Sequence, residues 1–473
     1  MKKGTPVPRT GMPLKNKPSH EISARAALYE EYTIARPRSK ALHEQAKKSM
    51  PNGVVHDGRF FEPFPFYVKH ADGAYKWDID GHAYLDAWSG HGALILGHNH
   101  PDVVAAVIAQ ARKGFHYSAC HELEVRWAEL IRECVPGAER VRFTVTGTET
   151  TALALRIARA FTDRTAIIKF QGHFHGIQDT AVAGVKEPFH IPMSTGVPAG
   201  TLQNVRLARH NDLDHVQQLL EAEPIAAVIL EPAGAHSTVV PGDQGFLQNL
   251  RTLTKDHGTL LIFDEVVSGF RLAPGGAQEI FNVTADLVCF AKAVAGGLPG
   301  AALVGRADIL DSIAFSGNAP RDRSKRVADQ GTYSALPIVA AAGIACLEIL
   351  KTGKVQRHLN TLGTRLRDGL NNVLQTRSIT GCAYGNASMF RILLGETCEA
   401  LGLTDGSFDH ARLDRGMGVQ GHDLHLALLI NGVDYNRGLS TGWLNAAMKD
   451  EDIDKMVSAF DRALTRLQQD GLI

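Results

Sequence analysis

Leu260-Leu261-Ile262-Phe263-Asp264-Glu265 is an apolar run that closes on carboxylates, and downstream Phe290-Ala291-Lys292-Ala293 leads into Gly296-Gly297-Leu298-Pro299-Gly300. An apolar run ending in an acid, followed one strand unit later by a lysine before a glycine-rich turn, suggests two strand ends opening onto one site. Pyridoxal phosphate needs those two groups. A lysine amine holds its aldehyde as a Schiff base, and a carboxylate keeps its pyridine nitrogen protonated. The protonated ring is then an electron sink for a carbanion at the substrate carbon. A surface lysine and a helix-capping aspartate fit the same spacing, so the pair alone leaves both readings open.

Outward from this pair the texture stays the same. Val141–Val145, Ala166–Phe170, Ala226–Leu230, Leu287–Phe290 and Ala301–Val304 are, like Leu260–Phe263, brief and apolar on both faces. Such runs suit strands of a sheet covered by helices on both sides. Helical patterns lie between them, for example Leu153, Ile157 and Phe161 at i, i+4 and i+8. The expected fold class is α/β, with a large, mostly parallel-sheet domain over 101–335. A smaller α+β domain is expected from 23–100 and 336–473, with a basic, proline-bearing arm at 1–22. In the first of these segments a helical pattern runs from Ser23 to about Met50, where Pro51-Asn52-Gly53 breaks it. Phe60–Tyr67, with Pro63 and Pro65, reads as extended, and short strands follow around Tyr75–Ile79 and Tyr84–Trp88 as in a meander. The C-terminal segment holds a helix over Leu336–Leu350 and a strand near Met389–Leu394. A last helix, capped by Asp450, buries Ile453, Met456, Val457, Phe460 and Leu464.

Bulk properties narrow the function. The 473 residues call for two or three structural units, and 44% hydrophobic with 21% charged residues is ordinary for a globular protein. Lys plus Arg and Asp plus Glu number 50 each, so no global field favours nucleic acid or an anionic membrane. No apolar run approaches a membrane span. The six cysteines carry no C-x-x-C pair and read as buried thiols of a reducing compartment, with the cytoplasm as the default location.

Further residues extend the chemistry. Thr146-Gly147-Thr148-Glu149 follows a strand and opens a helix, a place where N–H groups and the helix dipole receive a phosphate. It is equally a plain capping box, Thr146 with Glu149. Gly172-His173-Phe174-His175-Gly176 follows the next strand, and Phe174 between glycine hinges suits a flat ring. His173 and His175 lack the third ligand of a metal site, so no metal is expected. Gly331-Thr332 ends a basic stretch and offers a second phosphate donor. Arg437, between Asn436 and Gly438, sits where a guanidinium clamps a carboxylate, or simply on the surface.

Taken together, Leu85–Pro101, Gly147–Gly176, Leu260–Arg271 and Ala291–Val304 resemble the class III, fold-type-I pyridoxal-phosphate aminotransferases, over nearly the whole chain after about Ala41. Within the class the wording GHGALILGH, LEVRWAE, GTETTALALRIARAFT and AKAVAGGLPG is similar to the glutamate-1-semialdehyde aminomutase branch, and most of all to its D-phenylglycine aminotransferases. The resemblance implies Lys292 as the cofactor's lysine and proton shuttle, Asp264 on the pyridine nitrogen, Val266 beneath the ring and Phe174 above it. It implies phosphate bound by Gly147 and Thr148, and by Thr332 of a neighbouring subunit, hence a homodimer with shared active sites. Two departures bear on substrate: the loop Gln330–Pro337 lacks the asparagine of the family's usual T-x-x-G-N-P ending, and His91 stands where aminomutases have tryptophan. Arg437 falls about where aminomutases carry an acidic gate. The implied activity is transfer of an amino group between an amino acid, D-phenylglycine-like or a β-amino acid, and a keto acid such as 2-oxoglutarate. The alternatives are an intramolecular 2,1-aminomutase and a catalytically silent binding protein of the same fold. The intact Lys292–Asp264 pair speaks against the last.

Overall fold

A computed structural model describes residues 19–234, 239–240, 243–404, 408, 412–413, 417–438 and 440–473, so the arm expected at 1–22 lies almost wholly outside the described residues. Three strands form an antiparallel meander: β2 (Tyr75–Asp78) and β3 (Ala83–Asp86) are the expected pair, and β1 (Val68–Asp72), not expected, precedes them. Seven more build the main sheet: β4 (Arg140–Thr144), β5 (Ala166–Phe170), β6 (Val205–Ala208), β7 (Ile225–Leu230), β8 (Leu260–Asp264), β9 (Leu287–Phe290) and β10 (Ala301–Gly305). Their order is β4-β10-β9-β8-β7-β5-β6. The pairs from β6 through β9 are parallel, and β10 alone runs against both its neighbours. Every residue of β5, β7, β8, β9 and β10 is buried, which is why these runs are apolar on both faces.

The chain's end returns to its beginning. After β11 (Gly381–Tyr384) and β12 (Met389–Leu394), β13 (Val433–Asp434) joins β3 in parallel, and β14 (Thr441–Trp443) pairs with β12. The result is the expected architecture, a large mixed sheet with mostly parallel strands and a smaller α+β domain assembled from both ends of the chain. No helix among the described residues is long and apolar enough to cross a membrane.

Several local expectations need correction. The first helical stretch is two helices, Ser19–Ala35 and Pro37–Ala46, because Pro37 lacks an N–H and restarts the helix at its first turn. Phe161 is 41% exposed, so the buried stripe of the helix Gly147–Thr162 stops at Ala158. The last helix, Asp450–Gln469, is capped by Lys449, whose N–H donates to Asp452 at 3.0 Å, and not by Asp450. Its stripe is otherwise as expected, with Val457 only partly buried. The cysteines differ most: Cys382 and Cys398 form a disulfide and Cys120 is exposed, while Cys289 and Cys346 are buried thiols. The pairing brings β11 to the segment after β12, a juxtaposition that no spacing motif announces.

Candidate active site

In the parallel part of the sheet the C-terminal ends of β5, β7, β8 and β9 face one way, and the loops that follow them carry the candidate residues. Asp264 ends β8 level with Cys289 of β9, and Lys292 stands just past the end of β9 in a short 3-10 turn with φ 56°. The two groups that opened the sequence reading are thus at adjacent strand ends. A left-handed lysine costs backbone energy, on the order of 1 kcal/mol, and such conformations persist where the surroundings over-determine them. Burial lowers the Lys292 amine from the ordinary 10.5 to about 8, although the nearby Asp264 and Glu231 carboxylates favour its charged form.

Asp264 is buried and held on both oxygens. Its Oδ1 accepts from the Val266 N–H at 3.1 Å, and its Oδ2 lies 2.7 Å from Nδ1 of His175. A carboxylate only accepts, so Nδ1 is the donor of that pair. Burial pushes the His175 imidazole below its usual range, against the pull of Asp264. Its own carbonyl accepts from Thr151 Oγ1 at 2.7 Å, which fastens the loop to the helix Gly147–Thr162. Next to Asp264, burial raises the Glu265 carboxyl to about 7, while Oε2 accepts from the Ala277 N–H and the Ser268 hydroxyl.

The Gly172–Gly176 loop is pinned from below. Lys169 of β5 is fully buried and donates to the carbonyls of His173, Ala181 and Ala183. Burial lowers its amine to about 7, opposed by Glu231. Glu231, just past β7, accepts from the Phe174 N–H at 2.8 Å and donates its own N–H to His173 Nδ1 at 3.0 Å. Phe174 is therefore fixed by its backbone while its ring is only half-buried.

Two glycines shape the floor. A Cβ at Gly147 would meet Val266 at 2.8 Å, and one at Gly176, whose φ is +93°, would run into Thr148. The helix N-terminus, Val266 and the Phe174 loop consequently press together. The capping box is real: Thr146 Oγ1 takes the N–H of Glu149, and Glu149 takes the N–H of Thr146. That box does not engage the N–H groups of Gly147 and Thr148, so the two readings of this motif are compatible. Pyridoxal phosphate fits the donor set: an amine, an oriented carboxylate, two N–H groups at a helix end and a cradle kept open by glycine.

The substrate-side candidates lie elsewhere. His91 follows β3 in a turn that packs on the lysine turn: a Cβ at Gly297 would meet Leu94 at 2.5 Å, and the Gly297 N–H reaches the Lys292 carbonyl at 3.4 Å. Burial, then the neighbouring His56, Lys292 and Arg59, push the His91 imidazole down to about 4. Arg437 is half-buried, donating to the Phe60 carbonyl at 2.9 Å beside His422 Nδ1 at 3.5 Å. Thr332 lies on an exposed loop whose carbonyl accepts from His116 Nε2 at 2.7 Å. Among the described residues, neither Arg437 nor Thr332 is hydrogen-bonded to Lys292 or Asp264.

Sequence reasoning passed over several neighbours. His175, which in the sequence suggests at most a metal ligand, is the partner of Asp264. Glu231 was readable, since it closes the apolar run Ala226–Leu230 as Asp264 closes Leu260–Phe263. His56, Arg59 and Arg271 gave no local signal because their neighbours come from distant parts of the chain. Arg271, buried, ties the domains together by donating to Ser388 Oγ, the Leu444 carbonyl and the Gly92 carbonyl at 2.8–2.9 Å.

Comparison with known proteins places this geometry. The profile of the family described as "Aminotransferase class-III" matches residues 59–388. Glutamate-1-semialdehyde 2,1-aminomutase of Methanothrix thermoacetophila is 40% identical over 361 residues, 76% of this chain and 82% of that protein. The enzyme of the same name from Methanopyrus kandleri is 37% identical over 91% of this chain and 98% of its own length. Among solved structures, an omega-transaminase from Sphaerobacter thermophilus superposes with a TM-score of 0.83 at 32% identity, covering 91% of this chain and 98% of that one.

Proposed function

The chain belongs to the class-III aminotransferase family, and on that premise we propose that it is a pyridoxal-phosphate enzyme that moves an amino group between an amino acid and a keto acid such as 2-oxoglutarate. The observation that carries the reading is the pairing of strand ends: Lys292, its amine lowered to about 8, beside Asp264, held by His175 at 2.7 Å. When bound, the cofactor supplies an electron sink for the bond broken at the substrate carbon. Lys292 Nζ holds the aldehyde and, once released, moves the proton at that carbon; an amine near neutrality can both take and return it. Asp264 would accept the pyridine N–H, and His175 with the Val266 N–H keeps the carboxylate oriented. Val266 would pack under the ring and Phe174 over it. The N–H groups of Gly147 and Thr148 take the phosphate, and Thr332 adds a donor to the site of a second protomer, so the working unit is a homodimer with shared sites. His91 lines the substrate side and Arg437 receives a second carboxylate.

The curated relatives favour a second reading, in which the amino group moves within one molecule as in the 2,1-aminomutases. The same lysine and aspartate serve that reaction. Likeness to the omega-transaminase, and the cation Arg437 about where aminomutases carry an acidic gate, support exchange between two substrates. Single amino acids added to the yellow holoenzyme separate the two. A transferase stops at stoichiometric conversion to the pyridoxamine form and turns over only when a keto acid follows. A mutase turns over its substrate with no acceptor, and that result would replace the first reading by the second.

A further inference from the structure

Two histidines that the cofactor chemistry leaves unused stand against the loop that carries Thr332. His116 Nε2 lies 2.7 Å from the Thr332 carbonyl, and His121 Nε2 lies 2.8 Å from the Ala335 carbonyl. Both rings are fixed from their other side. Nδ1 of His116 accepts the Ser118 N–H at 3.1 Å, with the Ser118 hydroxyl at 3.4 Å, and Nδ1 of His121 accepts the Glu124 N–H at 3.2 Å. A ring nitrogen that accepts a backbone N–H carries no proton, so the proton of each imidazole sits on Nε2 and each ring donates to the loop. The same tautomer, fixed in the same way, meets the loop at Thr332 and again at Ala335.

The loop has little else to hold it. Gly331, Thr332 and Tyr333 are exposed, and the turn is closed by the Ser334 N–H on the Gly331 carbonyl at 3.2 Å. Ala335 is left-handed, with φ 52°, a conformation that a residue other than glycine keeps only where its surroundings fix it. Among the described residues, no hydrogen bond but those from the two histidines reaches 331–335 from another segment. The histidines themselves stand on rigid ground. His121 caps the helix Glu122–Cys134, whose Trp127 is fully buried, stacks on Phe143 at 4.2 Å and donates to the Val294 carbonyl of the lysine turn at 3.0 Å. Tyr117, edge-on to His121, accepts from Gln110 Nε2 at 2.8 Å and donates to the Lys113 carbonyl at 3.2 Å. One helix therefore backs the lysine turn along its side and holds the Thr332 loop at its start. Phe115, next to His116, and Tyr333 are 60% and 59% exposed, an apolar face that suits cover by a second protomer.

Resting on the reading above, in which Thr332 serves the site of a second protomer, we propose that His116 and His121 are positioning residues for that site: they set the backbone of 332–335 so that the Thr332 donor meets the cofactor phosphate. A donor on an exposed loop adds affinity only if its place is fixed beforehand, because ordering the loop when the phosphate arrives would cancel what the bond supplies. Neutral imidazole suits the task where lysine or arginine would not. It accepts the local N–H that fixes the ring and donates to the loop from its far side, and a cation has no acceptor to offer. Each protomer thus braces its neighbour's phosphate from the helix that backs its own lysine turn.

The test separates the two ends of each ring. His116→Asn and His121→Asn keep an acceptor near the Nδ1 position and lose the reach to the loop, whereas His116→Gln and His121→Gln keep a donor near the Nε2 position and lose the local cap. Pyridoxamine phosphate and pyridoxamine, neither of which bonds covalently to Lys292, are titrated calorimetrically into the stripped full-length protein and each variant. The ratio of the two affinities reads the phosphate alone. Each Asn variant is expected to lower that ratio by about three- to tenfold, the net worth of one hydrogen bond, and each Gln variant to retain most of it, although Asn is the better helix cap. A ratio kept by the Asn variants, or lost equally with Gln and Asn, overturns the clasp and reduces the rings to local caps. Thr332→Ala, read in the same way, tests the underlying reading separately. A ratio lowered by Thr332→Ala but untouched by both Asn variants overturns the clasp and leaves the shared phosphate site standing. A ratio untouched by Thr332→Ala removes the shared donor, and the clasp with it.

Discussion

The two halves of the site are built on different terms. On the cofactor side, Asp264, His175, Glu231 and Lys169 are buried at strand ends or in loops pinned to them, and each is held by partners at 2.5–3.1 Å. On the substrate side, His91, Arg437 and Arg59 are partly or fully exposed and come from loops that meet only because the chain's end returns to its beginning. Reaction chemistry demands fixed geometry and is set on the rigid sheet. Substrate choice is a matter of shape and is set where loops can differ without disturbing the core.

The sharpest break of this contrast lies in Asp264. Asp264→Asn is expected to leave the fold intact and lower kcat by at least about a hundredfold, since an amide cannot hold the pyridinium proton. Rates within threefold of wild type would assign ring protonation to another residue. His175→Phe should follow with a loss of about tenfold or more, as expected for one lost orienting partner. The cofactor absorbance should shift with it, because Asp264 would keep only its Val266 contact. A loss of activity without a spectral shift would make His175 a packing residue.

Substrate-side changes should be smaller and selective. Arg437→Ala is expected to raise KM for the dicarboxylate by about tenfold, the worth of a charge-assisted pair, and to spare the half-reaction of the amino donor. Equal damage in both halves would put Arg437 on the carboxylate they share. No damage would leave it as the pin on the Phe60 carbonyl and His422. The smallest effect is in pH. With the amine lowered to about 8, cofactor uptake by the stripped enzyme needs neutral Lys292 and should rise through that pH and level off above it. Stopped-flow uptake that keeps rising toward the ordinary lysine value of 10.5 would show that the free amine is not buried in solution.

The same contrast explains what could be read from the sequence. Six of the seven main-sheet strands were legible to within a residue: five are buried on both faces and keep a nearly continuous apolar run, whereas β4, only partly buried, was legible from the apolar residues that alternate along it. The strand β6 was missed: only Ala208 of its four residues is fully buried, so its run is mixed. Asp264 and Lys292 were legible as interruptions of apolar order at strand ends. His175 stood in a quoted motif, yet its partner lies 89 positions away, and only the folded sheet pairs them. His56 was invisible as a neighbour of His91, since nothing local to Val54-Val55-His56-Asp57 signals that it folds onto another turn. The Cys382–Cys398 bridge failed to show for the same reason.

The central claim is that Lys292, and not another buried lysine, carries the cofactor. Lys169 is the natural competitor: it is more deeply buried, and its amine is lowered to about 7. Its ammonium, however, is spent on three carbonyls beneath the Phe174 loop, whereas Lys292 sits at the strand end beside Asp264. Borohydride reduction of the yellow holoenzyme, followed by digestion and peptide mass mapping, decides between them. The reduced cofactor is expected on the peptide containing Lys292, with Lys169 unmodified and no label captured by Lys292→Ala. Label on Lys169, or full labelling of Lys292→Ala, would contradict the site as described.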